Sequence, residues 1–135
     1  MCLSFYKNVC SYFAQTNSNI ALIGTIVQAS SGQINVESGS LVRLVTVNIT
    51  PGVWLIRGHA TFRDTISTGM RMISIGWGNS EQEAQEIQAN AHSWTQIEAF
   101  DIFHEVQNST VSIAVKHTAG RTMSCECHIR MVRIK

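Results

Sequence analysis

The chain has 135 residues, of which 44% are hydrophobic and 14% charged, and ten basic against nine acidic side chains leave a net charge of +1. This composition excludes a disordered tail, because such tails are rich in charge and poor in apolar residues. It also excludes a surface built for nucleic acid or anionic membranes, because those surfaces are strongly basic. No window reaches the roughly 18 unbroken apolar residues of a membrane helix. The chain is therefore expected to form one compact domain of low charge.

Residues 1–19 differ in pattern from the rest of the chain. Apolar side chains recur there every four residues, at Phe5, Val9 and Phe13. This spacing predicts a short amphipathic helix, and the polar residues 16–19 then end it. We interpret residues 1–19 as a helical stub and linker that precedes a domain of residues 20–135.

From residue 20 onward, apolar residues alternate with polar ones, which is typical of half-buried strands. The predicted strands are residues 21–29, 33–36, 41–49, 53–62, 70–77, 95–106, 110–117 and 123–134. Turn residues separate them, among which Pro51-Gly52 fits a tight turn between two strands. Many short strands at regular spacing predict an all-β antiparallel sandwich or barrel.

The stretch EQEAQEIQAN, residues 81–90, breaks this rhythm. It is poor in strand-forming residues, and Ser80 with Glu83 matches the capping box that begins a helix. We predict a long loop here, with room for one helical turn.

The strand after Pro51-Gly52 has two distinct faces. One carries Trp54, Ile56, Gly58, Ala60 and Phe62 and is predicted to face the core. The other carries Val53, Leu55, Arg57 and His59, which begin apolar and become polar. Two interpretations stay open for that second face: a contact between subunits, or a half-covered outer sheet surface.

The run TVNITPGVWLIRGHATF resembles the core of the carboxy-terminal domains of bacteriophage tail fibres and related receptor-binding proteins. Residues 68–75, 111–120 and 127–135 are similar to the strands that follow in that pattern. The resemblance covers roughly residues 20–135. It implies a jelly-roll subunit similar to the trimeric tumour-necrosis-factor and complement-type heads. It also implies a homotrimer at the fibre tip of a virion, made in the host cytoplasm, that contacts a host-surface ligand, often a glycan.

The cysteines are Cys2, Cys10, Cys125 and Cys127. Cys125 and Cys127 stand two apart in a predicted strand, so they face the same way and are poorly placed to bridge each other. A C-x-C pair also departs from the usual zinc spacing. We expect free thiols packed as small hydrophobic groups, with no metal site and no cofactor.

No enzymatic motif is present in the sequence. Glu98, Asp101 and Glu105 could supply two carboxylates for glycosidase-like chemistry, but on a strand Glu98 opposes the other two. We interpret them as solvated acids. His117 continues an apolar face and is interpreted as a hydrogen-bonded histidine at the edge of the core.

Exposed aromatic and amide side chains are the better functional candidates, because sugars stack on tryptophan and bond to amides. The predicted ligand-binding residues are Trp77, Asn79, Gln85, Asn90, His92 and Trp94. The interval from Trp77 to Trp94 has almost no basic residue, which favours a neutral sugar or a protein surface as the ligand. The alternative is that Trp77 continues a core face and Trp94 plugs the core.

The sequence therefore predicts a non-enzymatic, trimeric receptor-binding domain, with Val53, Leu55, Arg57 and His59 at the subunit contact. Its partner would be a host-surface glycan or protein, with no nucleic acid and no membrane insertion. A purely structural trimerisation or capsid-decoration module is the first alternative. A carbohydrate-active enzyme is the second.

Overall fold

A computed structural model describes residues 23–65, 68–78, 80–89 and 93–135, and this part of the chain contains eight strands and no helix. The strands are β1 Ile26–Val36, β2 Val42–Ile49, β3 Gly52–Phe62, β4 Gly69–Trp77, β5 Ser80–Ala89, β6 Thr95–Glu105, β7 Ser109–His117 and β8 Met123–Arg133. The helix predicted within residues 1–19 lies outside the described residues.

The strands form two four-stranded antiparallel sheets, in the orders β1-β8-β3-β6 and β2-β7-β4-β5. Every connection except that from β4 to β5 crosses from one sheet to the other. This is the eight-stranded double-sheet arrangement of a jelly roll. The predicted antiparallel jelly-roll sandwich is confirmed.

The core lies between the sheets and follows the alternation of the strands. On β3, Trp54, Ile56 and Phe62 are buried, as the period-two pattern predicts. Trp54 Nε1 donates a hydrogen bond of 3.0 Å to the Thr50 carbonyl, so the buried indole keeps a polar partner. Gly58 is needed by packing, because a Cβ there would lie 2.7 Å from Ile113 Cδ1. The inward face of β3 is therefore fixed by both sequence and packing.

Two sequence predictions of local structure are wrong. Residues 21–29 and 33–36 were expected as separate strands, whereas β1 is one strand with an irregularity between Ser30 and Gln33. Residues 81–90 were expected as a loop, whereas β5 pairs with β4 along its whole length. The helix propensity of the side chains of β5 is outweighed because the edge of β4 offers a ladder of backbone hydrogen bonds.

One histidine and two cysteines lie within the core. His117 is fully buried; its Nε2 lies 2.9 Å from the Val36 carbonyl, and Nδ1 accepts a bond of 3.3 Å from the Ala119 amide. Both ring nitrogens thus have a backbone partner, which confirms the core-edge interpretation. Cys125 and Cys127 are free thiols, and burial raises the pKa of each to about 12. Cys2 and Cys10 lie outside the described residues.

Candidate functional site

The outer face of the β1-β8-β3-β6 sheet carries a continuous row of apolar side chains. The strand register places Val132 opposite both Ile26 and Leu55, and it places Ile102 opposite Leu55. We call Ile26, Val132, Leu55 and Ile102 the apolar row. Ile26, Leu55 and Ile102 are 48%, 42% and 63% exposed. Four strands thus contribute one apolar side chain each to a single line across the sheet.

On β3 and β8, the next two outward side chains of each strand are basic. Arg57 lies opposite Arg130, and His59 lies opposite His128 with the ring centroids 6.1 Å apart. These four side chains line a shallow cavity of about 250 Å³, here called the arginine–histidine pocket. Arg57 donates to Glu98, and this hydrogen bond holds the pKa of the Glu98 carboxyl below its usual value. Along β3 and β8 the outer face therefore changes from apolar to cationic within two residues, whereas β6 runs from Ile102 through Phe100 to Glu98.

The four predicted interface residues share this outer face of β3. Leu55 and Arg57 are exposed and His59 is half-buried. Val53 is partly covered, because its backbone bonds to the backbone of Ile134 and Lys135. Their role in a subunit contact stays a prediction. Sequence reasoning missed the apolar row as a unit, because the register that aligns four strands cannot be read from one chain segment.

The predicted ligand-binding residues do not all meet at one place. Trp77 is 9% exposed and stacks on Phe103 with ring centroids 3.5 Å apart, at the end of β4 that pairs with the start of β5. Gln85 is exposed in the middle of β5, and Trp94 follows the far end of β5. At about 3.3 Å per strand residue, β5 separates the two tryptophans by about 30 Å. Asn79, Asn90 and His92 lie outside the described residues.

Trp94 borders a cleft of its own between the ends of β5 and β6. The ring is 52% exposed, and the Arg63 guanidinium lies over it, 4.5 Å from the centroid. Arg63 in turn donates a 2.5 Å bond to Glu126, which lowers the pKa of that carboxyl. The cleft has a volume of about 230 Å³, and the polar part of its lining comes from Gln88, Ser93, Thr95 and Gln96. An indole fixed in place beside uncharged amides and hydroxyls is suited to stack on a sugar ring while the amides and hydroxyls form hydrogen bonds with the sugar.

The three acidic residues of β6 have different partners. Glu98 is bound to Arg57 on the outer face. Asp101 and Glu105 each accept a 2.8 Å bond from the amide of the next residue. Among the described residues, no three His, Cys, Asp or Glu side chains are grouped closely enough to hold a metal ion. The described part of β6 thus offers a salt bridge and two local backbone contacts.

A further cavity, of about 480 Å³, lies where β2 ends and β7 begins. Its lining combines two amides with three hydroxyls: Asn48, Ile49, Thr50, Asn108, Ser109 and Thr110. Both Asn-x-Ser/Thr triplets of the sequence therefore face one another at this end of the sandwich. None of these lining residues carries a charge.

Several solved structures share the fold of this chain. A chain of the T13 IBDV viral particle matches with a TM-score of 0.62 and 8% identity, over 81% of this chain and 31% of that one. The VP2 subviral particle of infectious bursal disease virus gives 0.57 and 9%, over 82% and 33%. Eiger TNF from S. frugiperda gives 0.54 and 13%, over 82% and 93%. The fold is a jelly roll. Identities this low show shared architecture alone.

The chain spans about a third of the length of the virus-particle chains, 31% and 33%. No protein-family model and no curated protein sequence matches it. In the described part of the chain, no helix has the length and apolar character to cross a membrane.

Proposed function

We propose that this chain is a non-enzymatic, homotrimeric attachment domain of a virus particle, which holds its copies together through the outer face of the β1-β8-β3-β6 sheet. The apolar row carries the proposal. Isolated exposed apolar side chains are ordinary, whereas four aligned across a sheet, three of them with large exposed fractions, form a patch of the kind that marks an interaction surface. Phe100, 58% exposed beside Arg57, extends the patch.

A second copy is the occupant that the chemistry of this face supports. The outer face carries the apolar row and, beside it on β3 and β8, basic side chains. The carboxylates of this face are already engaged by Arg57, Arg63 and His128. A contact around a threefold axis would bury the apolar lines of the copies against one another and bring the charged side chains beside them into the same contact. The trimeric state itself, and the place in a virion at the tip of a fibre, come from the resemblance to tail-fibre domains.

The receptor contact is proposed at the cleft beside Trp94. This cleft lies at the end of the sandwich, beyond the last paired residues of β3 and β6, and a subunit contact across the sheet face would leave it open. Its lining residues are uncharged and the Arg63 guanidinium over Trp94 is paired with Glu126, which favours a neutral saccharide over a phosphate- or sulfate-rich one. The proposed recognition therefore uses stacking and hydrogen bonds to hydroxyls.

A glycan-binding measurement with labelled protein tests this function, with Trp94→Ala against Trp94→Phe. Trp94→Ala should abolish binding with the melting temperature nearly unchanged, while Trp94→Phe should retain part of it because the stacking surface remains. If the wild-type chain binds no glycan and no host cell but forms a stable trimer, the structural-module alternative replaces receptor binding. Release of reducing ends from a bound polysaccharide would instead favour the enzyme.

A further inference from the structure

We propose that the arginine–histidine pocket binds an oxyanion: a carboxylate, phosphate or sulfate group. The pocket lies on the outer face used by the proposed assembly, yet its lining is unlike that of the apolar row. Each of its four walls, Arg57, His59, His128 and Arg130, is a hydrogen-bond donor, and none is acidic.

The charges on this face are not balanced within the chain. Arg57 and Arg130 are directly opposite on neighbouring strands, an arrangement that destabilises a sheet when nothing compensates it. Glu98 compensates Arg57. Arg130 is exposed, and among the described residues no carboxylate lies within ion-pair distance of it. One guanidinium of the pair is therefore left to bind an anion from outside the chain.

The remaining acid near the pocket is also engaged. Glu126 binds Arg63 through one oxygen, and its other oxygen lies 3.3 Å from His128 Nε2. The neighbouring strand β1 contributes Gln28 and Ser30, which add an amide and a hydroxyl. They line an adjoining depression of about 470 Å³ that shares Arg57, His128 and Arg130 with the pocket. No acidic side chain lines either cavity, and the two carboxylates beside the pocket, Glu98 and Glu126, are each engaged by basic side chains.

The geometry suits an oxyanion in particular. A guanidinium presents parallel N–H groups that match the two oxygens of a carboxylate or phosphate. The two imidazoles lie one pair further along the same strands and can donate to a third oxygen. The site thus differs from the cleft beside Trp94, whose uncharged lining suits a neutral ring.

Oxyanion binding would also help the proposed assembly, and this part of the inference rests on the proposed function. Covering Arg130 with a second copy would remove an unpaired charge from water, which is costly unless a counter-charge accompanies it. A bound oxyanion supplies that charge. Assembly is then expected to strengthen when oxyanion replaces chloride at equal ionic strength.

The test follows the ring signals of His59 and His128 by NMR while phosphate or glucuronate is added at constant ionic strength. Glucose is the neutral control. Arg130→Gln removes the free guanidinium, and Lys116→Gln on the opposite sheet removes one positive charge elsewhere. Light scattering on the same samples reports the number of copies.

Both ring signals should shift and saturate with phosphate or glucuronate and stay still with glucose. Arg130→Gln should weaken binding about tenfold, the loss of one charged hydrogen-bonding group, whereas Lys116→Gln should leave it unchanged. Stronger binding of glucuronate than phosphate points to an acidic sugar, and the reverse points to a free anion. The pocket is refuted if neither ring responds, or if Arg130→Gln responds like the wild type. If the ring signals shift while light scattering reports a monomer, oxyanion binding at the pocket is supported and the proposed trimer is refuted.

Discussion

The outer faces of the two sheets differ in what they present. The outward side chains are small where β4 and β7 pair in the middle of the β2-β7-β4-β5 sheet, and Ser74, Ser112 and Ala114 are 1%, 2% and 0% exposed there. The β1-β8-β3-β6 sheet presents large apolar side chains that are about half exposed, of which Leu55 and Ile102 are examples. Both sheets pack the same kind of core on their inner sides. The difference therefore concerns what each sheet meets on the outside, and it supports the proposal that the β1-β8-β3-β6 sheet is the contact surface.

Removing a core side chain sets the scale for this comparison. Trp54→Ala should lower the free energy of unfolding by about 3–5 kcal/mol, because it empties a fully enclosed site and removes the bond to Thr50. Trp94→Ala is the matched control and should change it by less than about 0.5 kcal/mol, since that ring is half exposed. Urea unfolding of both variants measures the difference. Equal losses would mean that Trp94 is a core plug after all.

A charge placed in the apolar row should separate assembly from folding. Leu55→Glu should weaken the association of copies by about a hundredfold or more, because a buried unpaired carboxylate costs several kcal/mol. Thr46→Glu, on the outer face of the other sheet, should leave association unchanged. Sedimentation over a range of concentrations gives both constants. If Leu55→Glu assembles as the wild type does, the outer face of the β1-β8-β3-β6 sheet is not the contact between copies.

Arg57→Ala should act on the same contact more weakly. It leaves Glu98 without its partner on the outer face, and association is expected to fall by about tenfold. Folding of the single chain should hardly change, because exposed ion pairs contribute little to stability. Lys116→Ala is the control for the loss of one positive charge. If Arg57→Ala leaves both the oligomer and its melting temperature as in the wild type, Arg57 is not at the contact.

The smallest expected effect concerns pH and the support of Trp94. The bond from Arg63 lowers the pKa of Glu126 below its ordinary 4.5, so the ionised carboxylate favours the folded state. That contribution is complete above about pH 4.5 and is lost as the pH falls through the lower, folded-state value. Glu126→Gln should therefore destabilise slightly at pH 7 and less as the pH falls below about 4.5. A destabilisation that is the same at acidic and neutral pH would point to packing instead.

The sequence predicted those features that depend on local alternation. The two faces of β3 follow from period two. Gly52, with φ of 148° and a Cβ position 2.4 Å from Arg133 Nε, could be recognised as a required glycine beside Pro51. β5 was missed because Glu, Gln and Ala favour helices, and only the neighbouring strand decides otherwise.

The proposed functional surfaces could be predicted only in part from the sequence. Leu55 and Arg57 could be placed on an outer face, but Arg130 and Ile102 could be joined to them only through the register of β8 and β6. The sequence predicts one loop between Trp77 and Trp94. The residues between them instead form β5, which places the two tryptophans at opposite ends of that strand. Long-range pairing of this kind is set by the whole sheet and not by any one segment.

The number of copies in solution tests the central claim most directly. Multi-angle light scattering at micromolar concentration should give three times the 14.9 kDa chain mass for the wild type. Leu55→Glu under the same conditions should give the mass of a single folded chain. A monodisperse wild-type monomer would contradict the account, because the apolar row would then face water with no copy to cover it.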